Sequence, residues 1–127
     1  MQDGRVVDRH VVLVVEDDDS LREALVDALR DEGYVVVTAE NGKEALEILR
    51  GSDAMPCLVL LDLMMPVMNG WTFLSAIRSD PRFSALRICI VSAVPQGQVP
   101  TDVLCAFQKP VDLGKLLQVV DTHCHPG

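Results

Sequence analysis

Five short β-branched runs limit what this chain can fold into. They are Val11–Val15, Tyr34–Thr38, Leu58–Leu61, Ile88–Val91 and Cys105–Gln108. The first, third and fourth are nearly all apolar, the pattern of strands buried on both faces of a parallel sheet. Amphipathic segments separate them. Leu21, Ala24, Leu25, Ala28 and Leu29 recur at helical spacing, with Gly33 as a stop and Ser20 with Glu23 as a capping box. Ala45, Leu46, Ile48 and Leu49 form a second helical stripe, with Asn41 as its N-cap. Trp71, Leu74 and Ile77, with Phe73 close by, form a third. Leu113, Leu116, Leu117 and Val120 form the last, after Pro110. The interval after Ser92 differs, because Pro95, Gly97 and Pro100 leave room for a loop with at most a short helix at 101–104. Alternation of this kind predicts one α/β domain with a parallel sheet and helices on both faces.

At 127 residues the chain is one domain's worth, and it can bury one core without staples. Its formal charge of −8 argues against nucleic acid, whose phosphates need a basic face, and suits a metal cation or a basic partner. No apolar run approaches a membrane span and the first ten residues do not read as a signal peptide, so a cytoplasmic protein is expected. Met1 favours a natural start. Cys57, Cys89 and Cys105 lie in or beside apolar runs and read as buried thiols; an even count of four is weak evidence for disulfides here. His123, Cys124 and His125 have no matching ligand set and are not read as a metal site.

In parallel α/β sheets, functional groups gather at the carboxyl ends of strands. The first run ends in Glu16, Asp17 and Asp18, the third in Asp62, the fourth in Ser92 and the fifth in Lys109. Each alone reads as a cap, turn former or surface charge. Together they offer oxygen ligands for Mg²⁺, a carboxylate able to attack phosphorus, and a hydroxyl and an ammonium to steady phosphoryl oxygens. A phosphatase using Asp62 as nucleophile is disfavoured, because Met64 stands two residues on, where a second carboxylate would be needed as acid/base.

Val-Val-Glu-Asp-Asp at 14–18, Leu-Asp-Leu-Met-Met-Pro-Val-Met-Asn-Gly at 61–70, Val-Ser-Ala at 91–93 and Lys-Pro at 109–110 resemble the receiver domain of two-component response regulators. Glu-Asn-Gly-Lys-Glu-Ala-Leu at 40–46 fits too. The resemblance implies a flavodoxin-like (CheY-like) fold with strand order 2-1-3-4-5, and the short interval after Ser92 leaves its fourth helix shortened or missing. It implies a receiver at 10–123, with an N-terminal extension at 1–9 and a C-terminal tail at 124–127. It implies Asp62 as phosphoacceptor, and Mg²⁺ held by Glu16, Asp17, Asp62 and the backbone carbonyl of Met64. Ser92 and Lys109 would contact the phosphoryl group. Such a domain is a regulatory phosphoacceptor rather than an enzyme. Its partners would be a sensor histidine kinase or histidine phosphotransfer protein and an unnamed downstream protein, without nucleic acid or membrane.

Three features depart from the family pattern. Glu16 replaces the commoner Asp, the Ser92–Lys109 interval is short by about a turn and a half of helix, and Ala106 stands at the aromatic switch position. Phe107, one residue later, should face the other side and pack in the core. Met64, Met65 and Met68 are expected to pack the loop after Asp62, and Trp71 to be a helix contact. An alternative reading is a pseudo-receiver, a protein-interaction module indifferent to phosphorylation.

Overall fold

The computed structural model describes residues 6–126. Five parallel strands form one sheet in the order β2-β1-β3-β4-β5: β1 Val6–Val15, β2 Val35–Ala39, β3 Ala54–Leu61, β4 Ile88–Ser92 and β5 Cys105–Gln108. Four α-helices connect or follow them: α1 Asp19–Asp31, α2 Gly42–Gly51, α3 Gly70–Arg78 and α4 Leu113–His123. This is the flavodoxin-like arrangement, and it places the ends of β1 and β3 side by side at the sheet's centre.

Strand alternation sorts the core into two halves. Leu13, Val15, Val59, Leu61 and Ile90 face Phe73, Leu74 and Ile77 of α3 and Ala45 and Leu49 of α2. Val12, Val14, Leu58, Leu60 and Val91 face Leu25 and Leu29 of α1 and Leu116 and Val120 of α4. The near-continuous apolar runs follow directly, because every residue of a central strand meets one of the two helical layers.

Several local expectations need correction. β1 begins at Val6 rather than Val11, and β3 at Ala54 rather than Leu58, because the two strands pair early: Val6↔Ala54, Val7↔Met55 and Asp8↔Pro56. A shift in register between Asp8 and Val12 interrupts that ladder, and Asp8, Arg9 and His10 hide the early strand in the hydropathy pattern. The cap of α1 is Asp18, whose Oδ1 accepts from Leu21 N at 3.0 Å, so Ser20 lies inside the helix. Asn41 caps α2 as expected, accepting from Glu44 N at 2.9 Å. Gly33, with φ of 100°, ends α1 in the left-handed region that favours glycine.

The interval between β4 and β5 holds one 3-10 turn, Gln96–Gln98, instead of a helical turn at 101–104. Segment 93–104 is a strap tied to the outer face of α3. The indole Nε1 of Trp71 donates to Gln98 O at 3.1 Å, and Arg78 donates to Asp102 O at 3.0 Å. Val99 and Val103 pack against the core beneath it. Pro95 and Pro100 bracket the turn, and neither can continue a helix.

The cysteines are not free thiols. Cys57 pairs with Cys124 and Cys89 with Cys105. The second pairing follows from register, since Cys89 and Cys105 face each other on neighbouring strands with Cα atoms 4.8 Å apart. The first joins β3 to the C-cap of α4, with Cα atoms 5.8 Å apart. Both separations suit a disulfide. Beyond α4, His125 N donates to Arg9 O at 3.0 Å, so the chain's last described residues lie against β1.

Candidate functional site

Each of the expected groups sits one step past or at the end of a strand. Glu16 follows β1, and its N–H donates to Ala39 O at 3.0 Å, which continues the β1–β2 ladder. Asp62 follows β3, with its N–H on Val15 O at 3.0 Å. Ser92 ends β4, and its carbonyl accepts from Lys109 N at 3.0 Å. Backbone ladders thus fix the bases of all four side chains before any side-chain contact is made. The Lys109–Pro110 peptide bond is cis.

Glu16, Asp62 and Ser92 are the buried polar residues of the core, each no more than 3% exposed. Lys109 reaches over both carboxylates. Its Nζ lies 2.9 Å from Glu16 Oε1 and 3.2 Å from Asp62 Oδ2. Glu16 Oε2 accepts from Asp18 N at 3.1 Å, and Asp62 Oδ1 from Met64 N at 3.3 Å. Ser92 Oγ is 3.5 Å from Val94 N, a long contact that leaves the hydroxyl available.

Burial pushes the Glu16 carboxyl up to about 7, and the neighbouring Asp62 carboxylate adds to this, against the opposing pull of Lys109 and the Asp18 N–H. For Lys109, burial lowers the ammonium, but Glu16 and Asp62 outweigh it and hold the group above its usual range. A single ammonium therefore serves two buried carboxylates, and the pocket is short of positive charge.

A divalent cation fits that shortage. Glu16, Asp17 and Asp62 each present a carboxylate oxygen within 4.8 Å of the others. Glu16 Oε1 is fully buried and accepts no well-directed hydrogen bond, only the lateral approach of Lys109. A hard oxygen set with one exposed member, Asp17, suits Mg²⁺, which keeps part of its water.

Three further residues shape the site. Arg22, on the first turn of α1, donates to Glu16 O at 2.9 Å and pairs with Asp19 and Glu40. Its i,i+3 relation to Asp19 is visible in sequence, but its reach to the Glu16 carbonyl is not. A Cβ at Gly70 would press on the Asp62 carbonyl oxygen and lie 2.8 Å from Leu63 Cα, so only glycine allows α3 to start this close to Asp62. Val67 has φ of 66° in a tight turn closed by Met68 N on Pro66 O at 2.7 Å. Met65 and Met68 pack against the core as expected, but Met64 is 61% exposed and does not pack the loop. Ala106 is exposed, while Phe107 faces the α1–α4 side and packs there.

The fold has counterparts among known proteins. The profile of the response regulator receiver domain matches residues 12–121. A 14.6 kDa protein encoded in the sodA1 3' region of Leptolyngbya boryana is 32% identical over 118 residues, 89% of this chain and 88% of its own length. The sensor histidine kinase CheAY of Helicobacter pylori is 33% identical over 84 residues, 66% of this chain but only 10% of the kinase. The crystal structure of a response regulator receiver protein from Pseudomonas putida superposes with a TM-score of 0.82 at 34% identity, covering 92% of this chain and 99% of that one. No helix among the described residues is long and apolar enough to cross a membrane.

Proposed function

Because the chain belongs to the response regulator receiver domain family, we propose that it accepts a phosphoryl group on Asp62 and thereby changes its affinity for a protein partner. The observation that carries this reading is the convergence of Asp62, Glu16, Asp17 and Lys109 at adjacent strand ends. The donor is a phosphohistidine on a sensor histidine kinase or phosphotransfer protein, in keeping with the kinase relative. A carboxylate oxygen of Asp62 attacks phosphorus in line; the P–O bond forms as the donor's P–N bond breaks, and the departing imidazole nitrogen takes a proton from solvent.

Glu16, Asp17, Asp62 and the Met64 carbonyl would hold Mg²⁺, which neutralises charge between the attacking carboxylate and the anionic phosphoryl group. Glu16 would serve as a ligand in its ionised form. Lys109 shifts from bridging two carboxylates to pairing with the new phosphoryl oxygens, and the Ser92 hydroxyl donates to another. Residues 10–123 constitute the receiver in this reading, which acts in regulation and turns over only its own phosphate.

The short strap and Ala106 favour a second reading, a pseudo-receiver whose binding ignores phosphorylation. Incubation with acetyl phosphate and Mg²⁺, followed by intact mass measurement, separates the two. One added phosphoryl group, absent in Asp62→Asn and absent without Mg²⁺, is expected. An unmodified but folded protein would establish the pseudo-receiver.

A further inference from the structure

β5 is the strand with the least to hold it. It stands at the edge of the sheet, paired only with β4, and none of its four residues is buried. Ala106 and Gln108 are exposed, while Cys105 and Phe107 pack partly against the α1–α4 side of the core. Each earlier crossover carries a helix that packs on the sheet before the next strand begins, whereas 93–104 carries the 3-10 turn alone. Backbone bonds at its two ends join β5 to β4: Leu104 N donates to Ile88 O at 2.8 Å, and Lys109 N to Ser92 O at 3.0 Å.

The Cys89–Cys105 bond spans this crossover. The two cysteines are register partners 16 positions apart, so the bond closes the rest of β4 and the whole strap into one loop. A covalent tie thus stands where the helix is missing. It limits the freedom of the chain between the strands and so opposes the local opening to which a short edge strand is prone. The two disulfides differ in access. Cys57 is 2% exposed, Cys124 1% and Cys89 0%. Cys105 is half-buried and lies between exposed Leu104 and Ala106, so it alone of the four cysteines offers appreciable surface to a reagent.

We propose that Cys89–Cys105 is a site of thiol–disulfide exchange: a dithiol opens it in the folded protein while Cys57–Cys124 stays closed, and opening loosens β5 together with Lys109. A thiolate of the dithiol bonds to Cys105 Sγ as the Cys105–Cys89 bond breaks, and Cys89 leaves as a thiolate that takes a proton. The second sulfur of the dithiol then displaces Cys105, which is protonated in turn, and the reagent departs as its own disulfide. Two electrons pass from the dithiol to the protein, and an oxidised dithiol reverses the step. Lys109 directly follows β5 and bridges Glu16 and Asp62, so freedom gained by the strand is passed to the ion pairs of the acidic pocket. The inference rests on those ion pairs and on the strand, not on phosphorylation of Asp62.

The test treats the full oxidised chain with dithiothreitol, without denaturant, at mildly alkaline pH. Samples are quenched with N-ethylmaleimide over time and the adducts located by peptide mass mapping. Adducts at Cys89 and Cys105 are expected before any at Cys57 or Cys124. On this partial reduction, backbone amide exchange at 105–109 should quicken at least about tenfold, with α1 and α2 unchanged. The double variant Cys89→Ala, Cys105→Ala should show the fast exchange with or without dithiol, and its NMR spectrum checks that it is folded. The partially reduced parent chain carries the test without the variant. Adducts on Cys89 and Cys105 before dithiol is added, adducts on all four cysteines in step, or earlier opening of Cys57–Cys124 would each overturn the proposal. So would resistance of Cys89–Cys105 until the protein unfolds, or its opening with exchange at 105–109 unchanged.

Discussion

Gly70 gives a quantitative test of how the loop after Asp62 is held. A methyl group there meets the Asp62 carbonyl oxygen, Leu63 Cα at 2.8 Å and Leu63 Cδ2 at 3.0 Å. Two of these partners are backbone, and the backbone is tied on both sides: Asp62 N to Val15 O at 3.0 Å, and Gly70 N to Leu63 O at 2.9 Å. Relief of the overlap requires a shift approaching 1 Å, which stretches one of these bonds. Overpacking costs about 1–3 kcal/mol, and a weakened hydrogen bond about 1 kcal/mol more. Against this, alanine gains up to about 1 kcal/mol over glycine in a helix. Gly70→Ala is therefore expected to lose about 2 kcal/mol, a fall in Tm of roughly 8 °C for a domain of this size. Gly51 is the internal control. It ends α2 with nothing within 4 Å of an added Cβ, so Gly51→Ala should gain a few tenths to about 1 kcal/mol. Urea titration of the oxidised protein by far-ultraviolet circular dichroism measures both. A Gly70→Ala variant as stable as the parent, or an equal loss in Gly51→Ala, would refute the close-approach argument.

Other expectations concern charge, metal and thiols. The folded pKa of Glu16 is raised from 4.5 to about 7, so its contribution to stability is full below pH 4.5 and disappears as pH rises through 7. Metal-free protein should lose stability between pH 5 and pH 8, and Glu16→Gln should flatten that slope; an unchanged slope contradicts the assignment. Millimolar Mg²⁺ should raise Tm at pH 8 through binding to the native state, and Asp17→Asn should blunt the rise. Thiol titration of the denatured, unreduced protein should find no free cysteine. Reduction should cost up to about 4 kcal/mol if the entropy of closing the larger loop dominates. Met64→Asn should shorten the lifetime of the Asp62 phosphate, since an amide beside Asp62 can orient water where the thioether cannot; a lifetime equal to or longer than the parent's would count against this.

What the sequence disclosed and what it withheld divide along a physical line. The strand centres, the two-layer covering and the strand-end position of Glu16, Asp62, Ser92 and Lys109 follow from local pattern and the geometry of parallel sheets. Asn41 as a cap was legible because its partner, Glu44, is three residues away. Asp18 displaced Ser20 as the cap of α1 because the helix starts at Asp19, ahead of its first apolar residue Leu21, a matter of two residues that hydropathy cannot resolve. The early start of β1 was hidden because Asp8, Arg9 and His10 interrupt its apolar pattern, while its pairing partner lies at Ala54 to Pro56. The cysteine pairs required distance: Cys89 and Cys105 meet only once β4 and β5 are in register, and Cys124 reaches Cys57 only when α4 folds back. The bridging of Glu16 and Asp62 by Lys109 is likewise a product of three strands arriving together. Prolines excluded a full helix between β4 and β5, but the position of the remaining turn depends on Trp71 and Arg78, which hold the strap from another element.

The Cys57–Cys124 bond also determines how the molecule would respond to mechanical load. The bond spans 67 positions, so a chain pulled from its two ends in the oxidised state keeps that loop closed. At full extension this withholds about 230 Å of contour relative to the reduced chain. Asp62, Ser92 and Lys109 all lie inside the closed ring, whereas Glu16 and Asp17 lie outside it, on the stretch that yields. Tension would thus draw the acidic pair away from its partner carboxylate while the ring holding the other three groups stays covalently shut.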